Sequence, residues 1–378
     1  MKAENFIEKV KQLGISTIVG VPDSTLKQFC DYINTDGKEE MTHMVPPNEG
    51  AAIGIATGVF LSTNKPACVY MQNSGLGNIV NPITSLANEK VYDIPMLLVI
   101  GWRGEPGFHD EPQHKFMGEI TEGLLDVLDI EHSIISKDTS ESELTEILSV
   151  ASNKLSSNKQ YAIIVKKDTF EKRKGGNYQN KYELVREDAI KVILGSLKKE
   201  DIVISTTGKI SREVYEESDI VCGQHYQDFL TVGGMGHASM IALGVAKNKP
   251  SKKVFCIDGD GAVLMHMGSL AFIGKQSPKN LIHICINNEA HESVGGMPTG
   301  ATGQDYSKVA DACGYKKVFC VETESSLLET LKQLDNLEGP VFIEIKVSMS
   351  SREDLGRPKE SAIENKINFM KYHNVTEN

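Results

Sequence analysis

The sequence has no surplus of positive charge: 40 Lys and Arg stand against 51 Asp and Glu, a formal net charge of −11 at pH 7. Without a basic excess to displace counterions from a phosphate backbone, nucleic acid is excluded as the main partner, whereas a small anion needs only a local site. Paired cysteine spacing is also missing. The seven cysteines, at 30, 68, 222, 256, 285, 313 and 320, form no CxxC or CxH pattern, which excludes a disulfide framework and a structural zinc site. Those in ACVYM, VFCI and IHICIN sit in apolar runs, where a free thiol packs as a small hydrophobe. No apolar run approaches the roughly 20 residues that span a bilayer. The N-terminal MKAENFIEKVKQLG places Phe6, Ile7, Val10 and Leu13 at helical spacing and has no signal-peptide core. These absences predict a cytoplasmic protein with no membrane partner.

What is there begins with an internal repeat. TIVGVPDST (17–25) and DIVISTTGK (201–209) are apolar runs ending in polar turns, 184 positions apart. GIATGVFLSTNKPACVYMQNSG (54–75) and MIALGVAKNKPSKKVFCIDGDG (240–261) both read as helix, Asn-Lys-Pro turn, buried strand and Gly-bearing turn. IPMLLVIGW and KNLIHICINN follow, with Ile100 and Ile286 separated by 186 positions. Three matches in one order at a nearly constant offset predict two related α/β domains in tandem, each a parallel sheet sandwiched by helices. The expected boundaries are a first domain over 1–165, a charged linker over 166–190, and a second domain over 191–378 that ends in a loop and a helix carrying Ile363 and Ile367. Ligands of such sheets bind beyond the carboxyl ends of the strands. VPDS, QNSGLGN and GWRGE in the first half, and STTGK, DGDGA and NNEAHES in the second, are therefore the segments expected to carry function.

Gly259, Asp260 and Gly261 follow one predicted strand and Asn287-Asn288 follow another, at a spacing that leaves room for one helix and one strand. The two turns then meet at one sheet edge. A carboxylate and an amide carbonyl are hard oxygen ligands suited to Mg²⁺, and the glycines with the following helix N-terminus suit a diphosphate. Singly, each element is an ordinary turn; the combination and its context point to a metal–diphosphate site. Thr207-Gly208-Lys209 falls short of a Walker loop but offers donors to an anion. Gly233-Gly234-Met235-Gly236 is a near miss to the dinucleotide fingerprint, since Ser239 replaces the third glycine. That leaves a nicotinamide-dependent oxidoreductase as an alternative reading.

The GDG signature followed by NN resembles the thiamine diphosphate enzymes. The resemblance implies thiamine diphosphate and Mg²⁺ as cofactors, with the metal held by Asp260, Asn288 and the main-chain carbonyl of Ala290, while Asp258 and Asn287 stand behind them. It also implies that Met235 props the cofactor in its bent form. In the first half, Glu49 in VPPNEGAAIGIATGV matches the glutamate that activates the cofactor through its pyrimidine ring; without the resemblance it reads as a first-turn acid on a helix dipole. Asn73, Gly75, Thr207 and Gly208 are the further cofactor contacts expected on these loops. The pyrimidine and diphosphate ends are bound by different subunits in this class, so at least a homodimer is implied, with active sites at the interface.

Two domains without a third, together with GVPDS, DEPQHKFMG (110–118), STTGK, HESVGGMPT (291–299) and DLGRP (354–358), resemble the branch containing phosphonopyruvate and sulfopyruvate decarboxylases. Val294 and Met297 depart from that branch's pattern. The reaction implied is non-oxidative decarboxylation of a small anionic 2-oxo acid: 3-phosphonopyruvate to phosphonoacetaldehyde and CO₂ in phosphonate biosynthesis, or sulfopyruvate as the alternative. Cations and donors expected near the substrate are Arg103, His109, His114, Lys115, His291, Arg352 and Arg357, with Ser24. Asp23, His114 and His291 are candidates for proton transfer, Asp23 equally well a turn and helix cap.

Overall fold

Aliphatic runs too apolar to alternate become central strands buried on both faces, and the turns that follow them line up along one edge. The computed structural model describes residues 1–176, 178–294, 296–300 and 302–375. It divides into two compact units, Met1–Asn177 with His291–Gly300, and Tyr178–Ala290 with Ala301–Asn378. Asn177, in the segment expected to link the domains, and Gly295, in the HESVGGMPT stretch, lie outside the described residues.

The first unit is built on six strands: β1 (Thr17–Gly20), β2 (Thr42–Met44), β3 (Ala67–Gln72), β4 (Met96–Gly101), β5 (Glu131–Ile135) and β6 (Gln160–Val165). All pair in parallel, in the order β2-β1-β3-β4-β6-β5. Because successive side chains point to opposite faces, Cys68, Tyr70, Leu97 and Val99 enter one core while Val69, Met71, Leu98 and Ile100 enter the other. Helices α1 (Ala3–Lys11), α2 (Lys27–Asn34) and α6 (Glu141–Ser156) close the first core, through residues such as Phe6, Phe29 and Leu144. Helices α3 (Glu49–Thr63), α4 (Leu76–Pro82) and α5 (Pro112–Val127) close the second, through Ala52, Ile79 and Leu125. Two short strands, β11 (Ala290–His291) and β12 (Met297–Pro298), come later in the chain; Met297, one of the two departures noted above, is buried in the first unit's core.

The second unit repeats the plan with β7 (Ile202–Ser205), β8 (Asp228–Leu230), β9 (Val254–Gly259), β10 (Leu281–Asn287), β13 (Lys317–Val321) and β14 (Val341–Lys346). Their order, β8-β7-β9-β10-β14-β13, is that of the first sheet strand for strand, and every pairing is again parallel. Helices α7 (Arg186–Gly195), α8 (Lys209–Val221) and α13 (Glu324–Gln333) cover one face. The other is covered by α9 (Ala238–Asn248), α10 (Asp260–Met265), α11 (Gly268–Gln276) and α12 (Tyr306–Ala312). Cys30, Cys68, Cys256 and Cys285 are free and buried, in keeping with a packing role. Among the described residues no helix is long and apolar enough to cross a membrane.

The final helix, α14 (Ala362–Tyr372), blunts the edge strand β8. Asn365 accepts the Leu230 N–H at 3.0 Å and donates to the Asp228 carbonyl at 2.9 Å, satisfying backbone groups that would otherwise offer a template for pairing. The Asp228 side chain is fully buried against Ser218, and burial pushes its carboxyl up to about 8, the Ser218 hydrogen bond opposing. A folded-state pKa above the unfolded one leaves this residue's contribution intact below about pH 4 and erodes it as pH rises toward 8. Asp228→Asn should therefore raise the melting temperature relative to the parent at pH 8 and change it little at pH 4; an equal shift at both pH values would contradict the assignment.

Candidate active site

In the first unit the informative residues lie on the segments that follow β1, β2, β3 and β4. Asn48 caps α3 by accepting the Ala51 N–H at 2.9 Å, and this sets Glu49 as the first helical residue. Glu49 is only 5% exposed, and its carboxylate accepts a 2.6 Å hydrogen bond from Asn78 on α4. Gly75 makes room for it: a β-carbon there would stand 2.6 Å from Glu49 Oε1. The sequence pointed to Glu49 and Gly75 but not to Asn78, because a single Asn in LGNIVNP carries no signal of what faces it.

Asn73 is fully buried. Its amide donates to the Arg103 carbonyl at 2.8 Å and to Thr121 at 2.9 Å, and its carbonyl accepts the Arg103 N–H at 3.1 Å. The hydrogen-bonding capacity expected for the cofactor thus holds the turn after β4. Asp23 is likewise fully buried, accepting from Gln72 at 2.6 Å and from the N–H groups of Thr25 and Leu26 at 2.8 and 3.3 Å. These bonds make Asp23 part of the turn before α2, whose own N-cap, Leu26, has no side-chain cap. Gly101 permits this seat, since a β-carbon there would lie 2.2 Å from Asp23 Oδ2.

Arg103 leaves β4 half-buried and donates to Asp110 through Nε at 2.8 Å and Nη2 at 2.5 Å, and to Ser24 Oγ at 2.9 Å. Asp110 also takes the N–H groups of Gly104 and Glu111, each at 2.8 Å; burial alone would raise its carboxyl, but the guanidinium and these donors hold it well below the usual range. Burial, then the Arg103 charge, pushes the His114 imidazole down. His109 and Lys115 are exposed on the same stretch. Burial also moves His291, in the segment assigned to the first unit, down to about 4.

In the second unit the adjacent parallel strands β9 and β10 pair with Ile286 opposite Gly259, so their terminal turns are neighbours. Asp260 opens α10 and is 4% exposed; its carbonyl accepts from Tyr306 at 3.1 Å. The two asparagines face different ways. Asn287 donates to the fully buried Glu344 at 2.8 Å and accepts the Glu289 N–H at 2.9 Å. Asn288 accepts the Ala290 N–H at 3.1 Å across Glu289, whose backbone is left-handed at φ 60°. Glu344 also takes Lys346 at 2.7 Å and the Ser307 N–H at 3.1 Å. A Glu inside the apolar strand VFIEIK was the available clue to this support, and it was missed. Glu289 is bound in turn by Tyr178 at 3.0 Å and Tyr182 at 3.2 Å.

Behind the loop, the ligand atoms of Cys256, Asp258 and His283 lie within 4.8 Å of one another, all buried. Asp258 Oδ2 and His283 Nε2 are 3.5 Å apart, and His283 Nδ1 pairs with Tyr315 at 3.0 Å. Thr207 donates to the Val232 carbonyl at 2.8 Å, Gly208 takes the left-handed φ of 91° that starts α8, and Lys209 reaches Ser351 at 2.6 Å. Met235 is half-buried in a loop whose Gly236 has no space for a side chain, the His266 ring standing 2.5 Å from the β-carbon position. That glycine serves packing against α10, which removes the reason to read it as a dinucleotide turn. Arg352 is occupied by Glu187 and Glu216.

The Gly75 cradle gives a direct check. Gly75→Ala should displace the Glu49 carboxylate from Asn78 and lower stability by about 1–3 kcal/mol in thermal or denaturant unfolding. Unchanged stability with Glu49 still bonded to Asn78 in a crystal structure of the variant would refute the close approach.

Comparison with known proteins gives two domain families in chain order. "Thiamine pyrophosphate enzyme, N-terminal TPP binding domain" matches residues 2–126, and "Thiamine pyrophosphate enzyme, C-terminal TPP binding domain" matches 207–345. The chain is 34% identical over 373 residues to a phosphonopyruvate decarboxylase of Streptomyces viridochromogenes, covering 94% of this chain and 91% of the relative. A phosphonopyruvate decarboxylase of Streptomyces hygroscopicus is 32% identical, with 95% and 90% covered. A sulfopyruvate decarboxylase of Methanosarcina acetivorans is 26% identical, with 90% of each covered. With both domain families present in order and one-third identity along nine-tenths of each sequence, the chain belongs to the thiamine pyrophosphate enzyme family, in the branch of the phosphonopyruvate decarboxylases.

Proposed function

We propose that this protein decarboxylates 3-phosphonopyruvate to phosphonoacetaldehyde and CO₂ without a redox partner, using thiamine diphosphate and Mg²⁺. The observation that carries the reading is the β9–β10 register, which sets the Asp260 and Asn288 turns at neighbouring strand ends while Glu344 draws Asn287 away. Carboxylate, amide carbonyl and the Ala290 main-chain carbonyl make a hard-oxygen donor set of the kind Mg²⁺ selects when it also holds phosphate oxygens. This supports Asp260, Asn288 and Ala290 as metal ligands and fits the cofactor's diphosphate to the second unit.

Bound thiamine diphosphate supplies an electron sink for the pair released as CO₂ departs. The protein's share is positional and protonic. Glu49, fixed by Asn78 and kept from bulk water, would hold a proton at the pyrimidine ring nitrogen. Met235 would support the cofactor from the loop before α9, and Thr207 and Gly208 would border the diphosphate. The first unit thereby takes the pyrimidine-binding role and the second the diphosphate-binding role. The assembly we infer is at least a homodimer in which Glu49 of one chain and Asp260 of another serve the same cofactor. The same chemistry would serve sulfopyruvate, the substrate in the name of the Methanosarcina acetivorans relative, so the two substrates need direct comparison.

Asp260→Ala is expected to abolish binding of the Mg²⁺–thiamine diphosphate pair in calorimetry. Glu49→Gln should still bind it but lose about 10²–10⁴-fold in kcat. Mixing and reannealing the two inactive variants should restore a fraction of the activity, because some sites would then contain neither substitution. Full activity in Glu49→Gln would remove that residue from its role, and no recovery on mixing would refute the shared-site assembly.

A further inference from the structure

Substrates of this branch carry a tetrahedral oxyanion at the far end from the carboxylate, and nothing above says what receives it. We propose that Arg103, Ser24 and His114 form that seat, a three-donor site for a phosphonate or sulfonate group. The proposal rests on the decarboxylase reading for its substrate and on hydrogen-bond accounting for its location.

Arg103 has five N–H donors in a planar fork. Two go to Asp110 and one to Ser24 Oγ, which leaves two with no acceptor among the described residues. Ser24 accepts from Arg103, so its own hydroxyl hydrogen remains available, and the His114 ring has no hydrogen-bond partner among the described residues. All three side chains are partly exposed at the carboxyl edge of the first sheet, following β1 and β4 and in the first turn of α5. Ligands of parallel sheets bind at this edge.

The guanidinium is also held rigidly. Asn73 clamps both backbone polar groups of Arg103, while Asp110 fixes the side-chain plane and is itself tied to the Gly104 and Glu111 N–H groups. Backbone contact keeps α5 close: a β-carbon at Gly104 would stand 2.0 Å from the His114 carbonyl oxygen, and one at Gly118 would stand 1.7 Å from the Gly104 carbonyl oxygen. Preorganised forks of this kind suit bidentate recognition of tetrahedral anions. The nearby carboxylates do not empty the site of positive potential. Asp110 takes four N–H donors and Asp23 three, so their charge is already engaged. The neutral His114 ring gains a proton more readily once an anion sits beside it. Among the other candidate cations, Arg352 is occupied by Glu187 and Glu216, and Lys115 points into solvent.

The test compares parent, Arg103→Gln, Arg103→Lys, Ser24→Ala and Ser24→Asp as holoenzymes. Phosphonopyruvate, sulfopyruvate and pyruvate serve as substrates, and phosphonoacetate and sulfoacetate as calorimetric ligands. Ser24→Ala removes no atom of the Arg103–Asp110 pair, so it stands even where Arg103→Gln fails to fold. Expected are a rise in KM for the oxyanion substrate of about 50-fold in Arg103→Gln and Ser24→Asp, with pyruvate turnover changed less than about threefold. Arg103→Lys, which keeps charge but not the fork, should fall between. Loss of phosphonoacetate binding with retained sulfoacetate binding, or the reverse, identifies which oxyanion the seat takes. Equal losses for pyruvate and the oxyanion substrates, or unchanged KM in the Ser24 variants, would overturn the proposal. If the parent turns over none of the three acids, the decarboxylase reading fails, and the calorimetric comparison alone decides the seat.

Discussion

The pairing of β9 with β10 is the constraint on which the chemistry depends. With Ile286 opposite Gly259, two turns separated along the chain by two helices are forced to end at the same height. A slip of one residue would turn every side chain of β10 to the other face, burying polar Asn287 among aliphatic residues and breaking its bond to Glu344. The aliphatic runs VFCI and LIHICI, buried on both faces, form the sheet, while polar side chains on β10, Asn287 bonded to Glu344 and His283 to Tyr315, hold its register. Of the buried groups beneath the turns, Glu344 is paired with Lys346 and bonded by Asn287 and the Ser307 N–H, whereas Asp258 Oδ2 and His283 Nε2 stand 3.5 Å apart without a hydrogen-bond partner among the described residues.

The same plan appears twice, with different polar residues at corresponding strand ends. After β3 stands the NSG turn that gives Glu49 its space; after β9, at the corresponding place, stands Asp260. After β4 comes Arg103, and at the end of β10 stand Asn287, its last residue, and Asn288. One scaffold thereby presents a buried carboxylate and a guanidinium on one copy, and a carboxylate with two asparagines on the other. The division of labour follows from turn composition alone, since both sheets share one strand order.

Much of this was legible in the sequence for physical reasons. Strands buried on both faces read as uninterrupted aliphatic runs, and the near-constant offset between halves reported a duplicated fold. Gly259, Asp260 and Gly261, singly an ordinary turn, were readable because Asn287-Asn288 follow the next predicted strand at a matching spacing. Long-range partners were not: Asn78 beside Glu49, Asp110 around Arg103, and Glu344 under Asn287 are separated from those residues by 29, 7 and 57 positions. Nothing local in the chain distinguishes a side chain that reaches across a fold from one that meets water. Asn73 shows the same limit from the other side: nothing local indicated that its amide turns inward to the Arg103 carbonyl and Thr121. Among the fingerprint-like glycines at 233–236, Gly236 owes its small size to contact with His266, which the local pattern does not reveal.

The central claim is that these residues make a cofactor-dependent carbon–carbon bond cleavage site. Phosphorus NMR of the purified protein with Mg²⁺, thiamine diphosphate and 3-phosphonopyruvate tests it most directly, with CO₂ followed in the same vessel. The account predicts conversion of the substrate resonance to that of phosphonoacetaldehyde with one CO₂ per substrate, dependent on both added cofactors. A substrate resonance that persists, or a conversion that proceeds equally after removal of the metal and thiamine diphosphate, would contradict it.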